Sequence, residues 1–248
     1  MAGFAETNTM NMHQPATPRL DPRYSEERLP RYTSYPTAPH FSGDISAQTY
    51  RRWLTAIADD RAVSLYLPLP FCRSMGWSCG CNTTISRRDE PIADYLAALR
   101  REIEMVTDQI GRRLSVGHVH FGGGTPTIMA PAQFAELMSL LRRKFSFRGD
   151  AEVAIEIDPR TLTSEMTAEI GVSGVTRASL GVQSFDPGVQ RAINRIQSFE
   201  VTAATTEGLR AAGVRGVNFD LIYGLPHQPT APCADTVRQC LRLAPDRL

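Results

Sequence analysis

Three cysteines fall within ten positions of one another, in the stretch "FCRSMGWSCGC" (71–81): Cys72, Cys79 and Cys81. Thiolates bind soft metals, and iron–sulfur clusters are held mainly by cysteine. Zinc would need a fourth donor, and no histidine lies close by in sequence. The plainer reading is three small residues buried in a tight loop. A second cluster, "GGGTPT" (122–127), offers backbone amides that no side chain blocks, a surface that can cradle a carboxylate, an amine or a phosphate; such loops also serve as simple turns. A third, "EID" (156–158), places Glu156 and Asp158 on one face of a strand. Acids at strand ends bind a cation, an amino group or a hydroxyl, or else form a salt bridge within the wall. Gln183, Arg195 and Asp220 allow the same two readings. His118 and His120 flank a strand interior and read as packing or partner histidines rather than ligands.

The elements that must position these residues alternate. Strands are expected at 63–70, 118–123, 152–158, 177–184 and 216–223. Helices are expected at 45–58, 91–111, 131–145, 163–174, 187–195, 199–213 and 234–244. This rhythm predicts an α/β fold with a parallel sheet and right-handed crossovers. The polar and glycine clusters (71–81, 122–127, 156–160, 183–186 and 220–228) all fall at or just after strand C-termini. That is where α/β folds bind ligands. The stripe Leu137, Leu140 and Leu141 is core. Residues 1–30 are polar, proline-rich and aperiodic and read as a flexible arm; 31–62 carries "RYTSYPTAPHF" and a helix; 63–248 forms the main α/β unit.

Composition narrows the function classes. With 248 residues and 42% hydrophobic content, the chain can bury a large core. A net charge of +1 gives no electrostatic pull toward nucleic acid. No run of eighteen apolar residues exists, and the N-terminus has no apolar signal core, so no membrane span and a cytoplasmic location are expected. Five cysteines, an odd number with three of them clustered, read as thiols or metal ligands rather than disulfides.

Seven ordered motifs carry a resemblance. "RYTSYPTAPHF", "LYLPLPFC…CGC", "FGGGTPT", "IEIDPR", "LGVQSFD", "INRIQ" and "DLIYGLPHQ" follow in the order found in the oxygen-independent coproporphyrinogen III oxidases, a radical S-adenosylmethionine (SAM) family, and the resemblance spans roughly 30–248. It implies an incomplete parallel (β/α) barrel of six β-α units, about five of which are present here. It also implies a [4Fe-4S] cluster on a C-x3-C-x2-C loop and two bound SAM molecules. The implied reaction is SAM-dependent radical oxidative decarboxylation of two propionates of coproporphyrinogen III, giving protoporphyrinogen IX for haem synthesis. By resemblance, Cys72 and Cys79 match the first and third cluster ligands, and Cys81 matches a further cysteine tied to catalysis. Tyr66, Gly123 and Glu156 match contacts to one SAM; Ser78, Gly124, Thr125, Gln183, Arg195 and Asp220 match contacts to the second. A monomer is expected, and the sequence does not identify the electron donor.

The sequence departs from that family at Gly76, where the middle cluster ligand belongs, at Pro68, where a histidine belongs, and at Ser78, where an aromatic residue belongs. "PDRL" (245–248) would open a sixth strand, and the sequence stops there. Glycine has no donor atom, so these departures predict impaired or absent activity. The alternatives are an inactive decayed paralogue and a haem-binding chaperone of the same superfamily. Cys81 and "RYTSYPTA" match the oxidase branch rather than the chaperone branch.

Overall fold

The structure is a computed structural model and describes residues 36–248. The expected arm at 1–30, and the first residues of "RYTSYPTAPHF", lie outside the described residues. Pro36–Ser46 belongs to one compact unit, whose described residues include a 3-10 turn at Ala38–His40 and a hydrogen bond from Ser42 Oγ to Asp44 Oδ2 (2.7 Å).

Ala47–Leu248 forms the second unit. It opens with α1 (Ala47–Thr55), followed by β1 (Ala62–Leu69). Two short strands, β2 (Phe71–Cys72) and β3 (Thr84–Ile85), precede α2 (Glu90–Ile110). The alternation then runs β4 (Ser115–Gly123), α3 (Pro131–Lys144), β5 (Ser146–Ile157), α4 (Ser164–Val172) and β6 (Arg177–Gln183). It closes with α5 (Pro187–Ala192), α6 (Phe199–Ala211), β7 (Gly216–Leu221) and α7 (Thr230–Arg242).

Local chemistry sets the helix boundaries. Gly111 ends α2 in the left-handed conformation (φ 71°), its N–H returning to Thr107 O. Pro131 opens α3, where its missing N–H has no partner to lose. Thr163, Asp186 and Ser198 cap α4, α5 and α6 by accepting from the backbone N–H three residues on.

Among the described residues the main sheet has five strands in the order β1-β4-β5-β6-β7, every pair parallel. Consecutive strands are therefore neighbours, the single winding of a (β/α) barrel wall. An isolated parallel bridge joins Asn218 of β7 to Arg247. The expected alternation stands. The sequence reading missed the parallel β2–β3 pair, which is only two residues long, and the first six residues of β5.

The two faces of the sheet differ. Leu67, Leu69, Val116, Val119, Phe121, Val153, Ile155, Ile157, Ala178, Leu180, Val182, Val217 and Phe219 are buried and belong to one apolar core. Phe134, Leu137, Met138 and Leu141 of α3 and Ile170 of α4 join them in that core. The alternate positions carry Tyr66, His120, Glu156, Ser179, Asn218 and Asp220. A parallel sheet covered on both faces needs apolar residues on both. Here one face is packed against helices and the other is polar, so the second face is a wall that lines a space.

Candidate active site

The cluster loop begins where β1 ends. Phe71–Cys72 pairs with Thr84–Ile85, so residues 73–83 form a closed excursion pinned at its base. Thr84 N donates to Pro70 O (2.7 Å) and Ser86 N to Cys72 O (3.0 Å). Within it, Cys79 N donates to Gly76 O (3.0 Å). Arg73 reaches across to Ser86 O and Asp89 and ties the loop to the start of α2.

The glycine run lies against this loop. Gly124 N donates to Leu69 O and Thr125 N to Phe71 O, both at 2.8 Å. A Cβ on Gly124 would sit 2.5 Å from Phe71 O, and Gly123 has φ +107°. Gly123 N donates to Glu156 Oε2 (3.2 Å). This corrects the expectation of free amides for a ligand: the N–H groups of 123–125 already have protein acceptors. The glycines serve close approach of two backbones, and Thr125 Oγ1 lies 3.1 Å from Cys72 Sγ.

A polar band crosses the inner wall. Tyr66 stands opposite His120 in register and stacks on it (centroids 5.7 Å apart). His120 Nε2 lies 3.1 Å from Glu156 Oε1. A Cβ on Gly122 would fall 2.9 Å from Glu156 Oε1 and 3.0 Å from His120 Nε2, so the glycine leaves room for this group. Glu156 stands opposite Ser179. Ser179 Oγ donates to Asp220 Oδ2 (2.8 Å), while Asn218 Nδ2 donates to Ser179 Oγ and to Asp220 Oδ1. Gln183 has φ +64°, beside a register shift between Gly181 and Gln183. Left-handed backbone at a non-glycine strand end is a strain held in place by the surrounding fold, typical of ligand sites.

An ion network closes the end of the band. Arg160 Nη2 donates to Asp158 Oδ2 (2.6 Å), and Arg195 Nη2 donates to Asp158 Oδ1, Gly181 O and Gln197 Oε1. Burial would raise the Asp158 pKa, but the Arg160 hydrogen bond and the charges of Arg195 and Arg160 outweigh it and hold the carboxyl below its usual range. Arg195 is itself pushed down by burial, against the pull of Asp158. Its buried Nε has no partner. The guanidinium nonetheless lines the cavity, where its charge suits an anionic group such as a ligand carboxylate.

Two of the loop thiols, Cys72 and Cys81, are held neutral. Burial raises the Cys72 pKa, partly offset by the Thr125 hydrogen bond. Burial, then the Cys79 thiol, push Cys81 to about 11, with Glu156 and Cys72 adding to the effect. Burial raises Tyr66 as well, helped by the charge on Glu156 and by Cys81.

One cavity of about 300 Å³ collects nearly all the predicted residues: Cys72, Ser78, Cys79, Cys81, Gly123, Gly124, Thr125, Glu156, Gln183, Arg195 and Asp220. Tyr66 lines the adjoining recess with Cys81, Gly123 and Glu156. A second cavity, about 400 Å³, shares Cys72, Thr125 and Asp158 but none of Glu156, Gln183, Arg195 or Asp220. Sequence reasoning missed Arg160, Ser179 and Asn218 as site residues and treated His120 only as a partner. The available signal was the period of two: stepping back by two from Asp220 gives Asn218, and stepping back from Gln183 passes through Ser179.

The donor set does not fit a cluster with three protein thiolates. Gly76 supplies no ligand atom, and among the described residues no group of three His, Cys, Asp or Glu side chains is assembled to hold a metal ion. The space is nevertheless there: a Cβ on Gly76 would have only Ile193 O within 4 Å, at 3.8 Å. The rest of the cavity fits a zwitterionic nucleoside. It offers the Arg195 guanidinium, the Glu156 and Asp220 carboxylates, and the glycine-lined wall at 123–124.

Comparison with known proteins gives a consistent likeness. The radical SAM superfamily model matches residues 66–240. The oxygen-independent coproporphyrinogen III oxidase of Bradyrhizobium diazoefficiens is 65% identical over 224 residues, covering 90% of this chain and 50% of that protein. That of Paracoccus denitrificans is 41% identical, covering 90% and 49%. The chain thus spans about half the length of the curated relatives it matches. The solved coproporphyrinogen III oxidase of Escherichia coli superposes with TM-score 0.81 at 40% identity, covering 87% of this chain and 49% of that one. A radical SAM methyltransferase from Kitasatospora setae shares the fold at TM-score 0.52 and 15% identity, covering 80% and 36%.

Proposed function

The chain belongs to the radical SAM superfamily, and on that premise we propose that it is the SAM-binding part of an oxygen-independent coproporphyrinogen III oxidase. Members of the superfamily use a [4Fe-4S] cluster and SAM. The observation that carries the reading is the convergence, from five successive strands of the main sheet and their following loops, of Gly123, Glu156, Gln183, Arg195 and Asp220 on one cavity beside Cys72, Cys79 and Cys81, with Tyr66 in the recess that adjoins it. The relatives named as this oxidase supply the substrate in the proposal, coproporphyrinogen III.

In this reading each residue acts through its own chemistry. Arg195 lines the cavity and sets its guanidinium charge against the SAM carboxylate. Glu156 and Asp220 are acceptors for the ammonium or the ribose hydroxyls. His120 and the Gly123 amide hold Glu156 in place from two sides. Tyr66 is 60% exposed and presents a flat face for an aromatic ring. Cys81, beside Tyr66 and Glu156, stays a neutral thiol and is the catalytic cysteine of the proposal. Cys72 and Cys79 are the cluster ligands. No step through the cluster follows from these residues, because Gly76 leaves the ligand set short, and the same glycine favours a chain that binds SAM without cleaving it. We place the protein in the cytoplasm as a monomer; among the described residues no helix is long and apolar enough to cross a membrane.

Calorimetry with SAM tests the reading. The chain should bind SAM weakly, and Glu156→Ala or Arg195→Ala should weaken binding by about tenfold or more, roughly 1.4 kcal/mol. Equal affinity in all three proteins would remove the basis for the site. Iron should remain well below a full cluster per chain after anaerobic reconstitution with iron and sulfide.

A further inference from the structure

Arg195 carries more positive charge than its surroundings cancel. Among the described residues Asp158 is the one carboxylate bonded to it, and Asp158 serves Arg160 first. Arg160 gives that carboxylate bonds from Nε (2.9 and 3.2 Å), Nη2 (2.6 Å) and its backbone N–H (3.1 Å); Arg195 gives it a single bond at 3.3 Å. Two cations against one anion leave one positive charge in excess beside the cavity. The closer acceptors of Arg195 are both neutral: Nη2 donates to Gly181 O (2.7 Å) and to Gln197 Oε1 (3.0 Å).

Gln197 is held so that only its amide oxygen is left for the arginine. It is 2% exposed, and its Nε2 donates to Gly181 O and to Thr202 Oγ1, both at 3.0 Å. With both amide hydrogens taken, the oxygen alone meets the guanidinium. The backbone of Gln197 is pinned as well: its N–H donates to Gln190 Oε1 (3.1 Å), and Gln190 Nε2 donates to Gln197 O and Ser184 O. Buried amides with all their bonds made serve many folds. This one stands where a carboxylate of the same shape would cancel the charge of Arg195.

We propose that Gln197 is a positioning residue for ligand binding: as a neutral acceptor it holds the Arg195 guanidinium at the cavity while leaving its charge for an incoming carboxylate. The proposal rests on the SAM reading for the ligand and adds the residue that keeps the charge available. Gln197→Glu preserves the shape but pairs the guanidinium internally, so a ligand carboxylate meets a neutral pair in place of a cation.

Calorimetry with two ligands separates this role from packing. Decarboxylated SAM keeps the nucleoside, the sulfonium and the amine and lacks only the carboxylate. Gln197→Glu should weaken SAM binding by about tenfold or more and decarboxylated SAM by less than about twofold. Gln197→Met removes the acceptor without adding charge. It should weaken SAM by a smaller factor and again spare decarboxylated SAM, which carries the test if Gln197→Glu folds poorly. Equal weakening of the two ligands, or SAM affinity unchanged by both substitutions, overturns the proposal. If the unmodified chain binds neither ligand, the proposed function falls, and urea unfolding decides the charge by itself. Beside a cation in excess, the introduced carboxyl has a folded pKa below its ordinary value of about 4.3. Its stabilisation is then present above that value and lost as pH falls through the folded one. The urea midpoint of Gln197→Glu, relative to the unmodified chain, should therefore be higher at pH 7 than at pH 4. An equal or lower relative midpoint at pH 7 would show that no charge is in excess at Arg195 and overturns the proposal whatever the ligands do.

Discussion

Asp158 shows how one side chain organises the site. It was legible in the sequence only as one of two acids on a strand face; its partners were not, because Arg195 is 37 positions away and approaches only once β5 and β6 are paired. Both arginines that it neutralises are largely buried, at 19% and 12% side-chain exposure. Asp158→Asn would leave two buried cations without a counter-charge, and we expect a loss of about 3 kcal/mol at neutral pH, read from urea unfolding midpoints. The sign of the pH dependence follows from the lowered Asp158 pKa. Its stabilisation is present above the ordinary aspartate value of about 3.9 and is lost as pH falls through the folded value. The gap between the two proteins should therefore close below about pH 4; a gap that widens there contradicts the pairing. The thiols make a second residue-level case. With its pKa pushed to about 11, Cys81 should alkylate slowly with iodoacetamide at pH 8 and accelerate as pH rises toward 11, followed peptide by peptide. A flat profile would mean that its surroundings do not disfavour the thiolate.

Elements explain why the glycines were harder to interpret than the strands. The alternation of strands and helices was visible from apolar spacing alone, and each main strand falls close to its expected place. The function of "GGGTPT" was not, since a glycine that frees an amide for a ligand and one that lets two backbones touch look the same in sequence. The register decides: β1 and β4 pair to their ends, Leu69 opposite Gly123, so the next residues of each chain must run side by side. Gly124 is the closest contact, with Phe71 N, C and O all within 2.8 Å of an added Cβ. Gly124→Ala should destabilise the protein by about 2 kcal/mol, and it should also displace Cys72, whose Sγ contacts Thr125 next door. Gly149→Ala is the matched control, with nothing within 4 Å of its added Cβ. Thermal unfolding of the two variants side by side should separate them by several degrees; equal midpoints would mean that the two loops are not packed as described. Pro68 and Ser78, flagged as departures, cost the fold nothing evident: Pro68 lies on an edge strand, where its missing N–H is tolerated, and its carbonyl accepts from Tyr95 Oη (2.6 Å).

At the scale of the whole unit, a singly wound sheet gathers every strand-to-helix loop at one end, and a ligand there touches residues far apart in sequence. Glu156 and Asp220 belong to strands separated by β6, and Arg195 comes from the corner after α5. A ligand bridging them ties β5, β6 and β7 together in the folded state only, so binding should appear as stability. At a SAM concentration about one hundred times its Kd, linkage gives roughly 2.7 kcal/mol. For a unit of this size that corresponds to a rise in Tm of about 5–10 °C. The opposite end of the sheet supplies the control. Glu152 and Arg177 pair where the β5–β6 ladder begins (2.9 Å), within a recess that also holds Arg215 and Asp246 and none of the cavity residues. Glu152→Gln should lower the basal Tm yet leave the SAM-induced rise intact, because the two ends are joined only through the strands. Glu156→Ala should do the reverse, with little basal change and about half of the rise or more gone, since Glu156 is partly in solvent and its partners His120 and Gly123 can turn to water. A rise that survives Glu156→Ala and disappears in Glu152→Gln would move the ligand to the N-terminal ends of the strands, and with it the whole assignment of function to this wall.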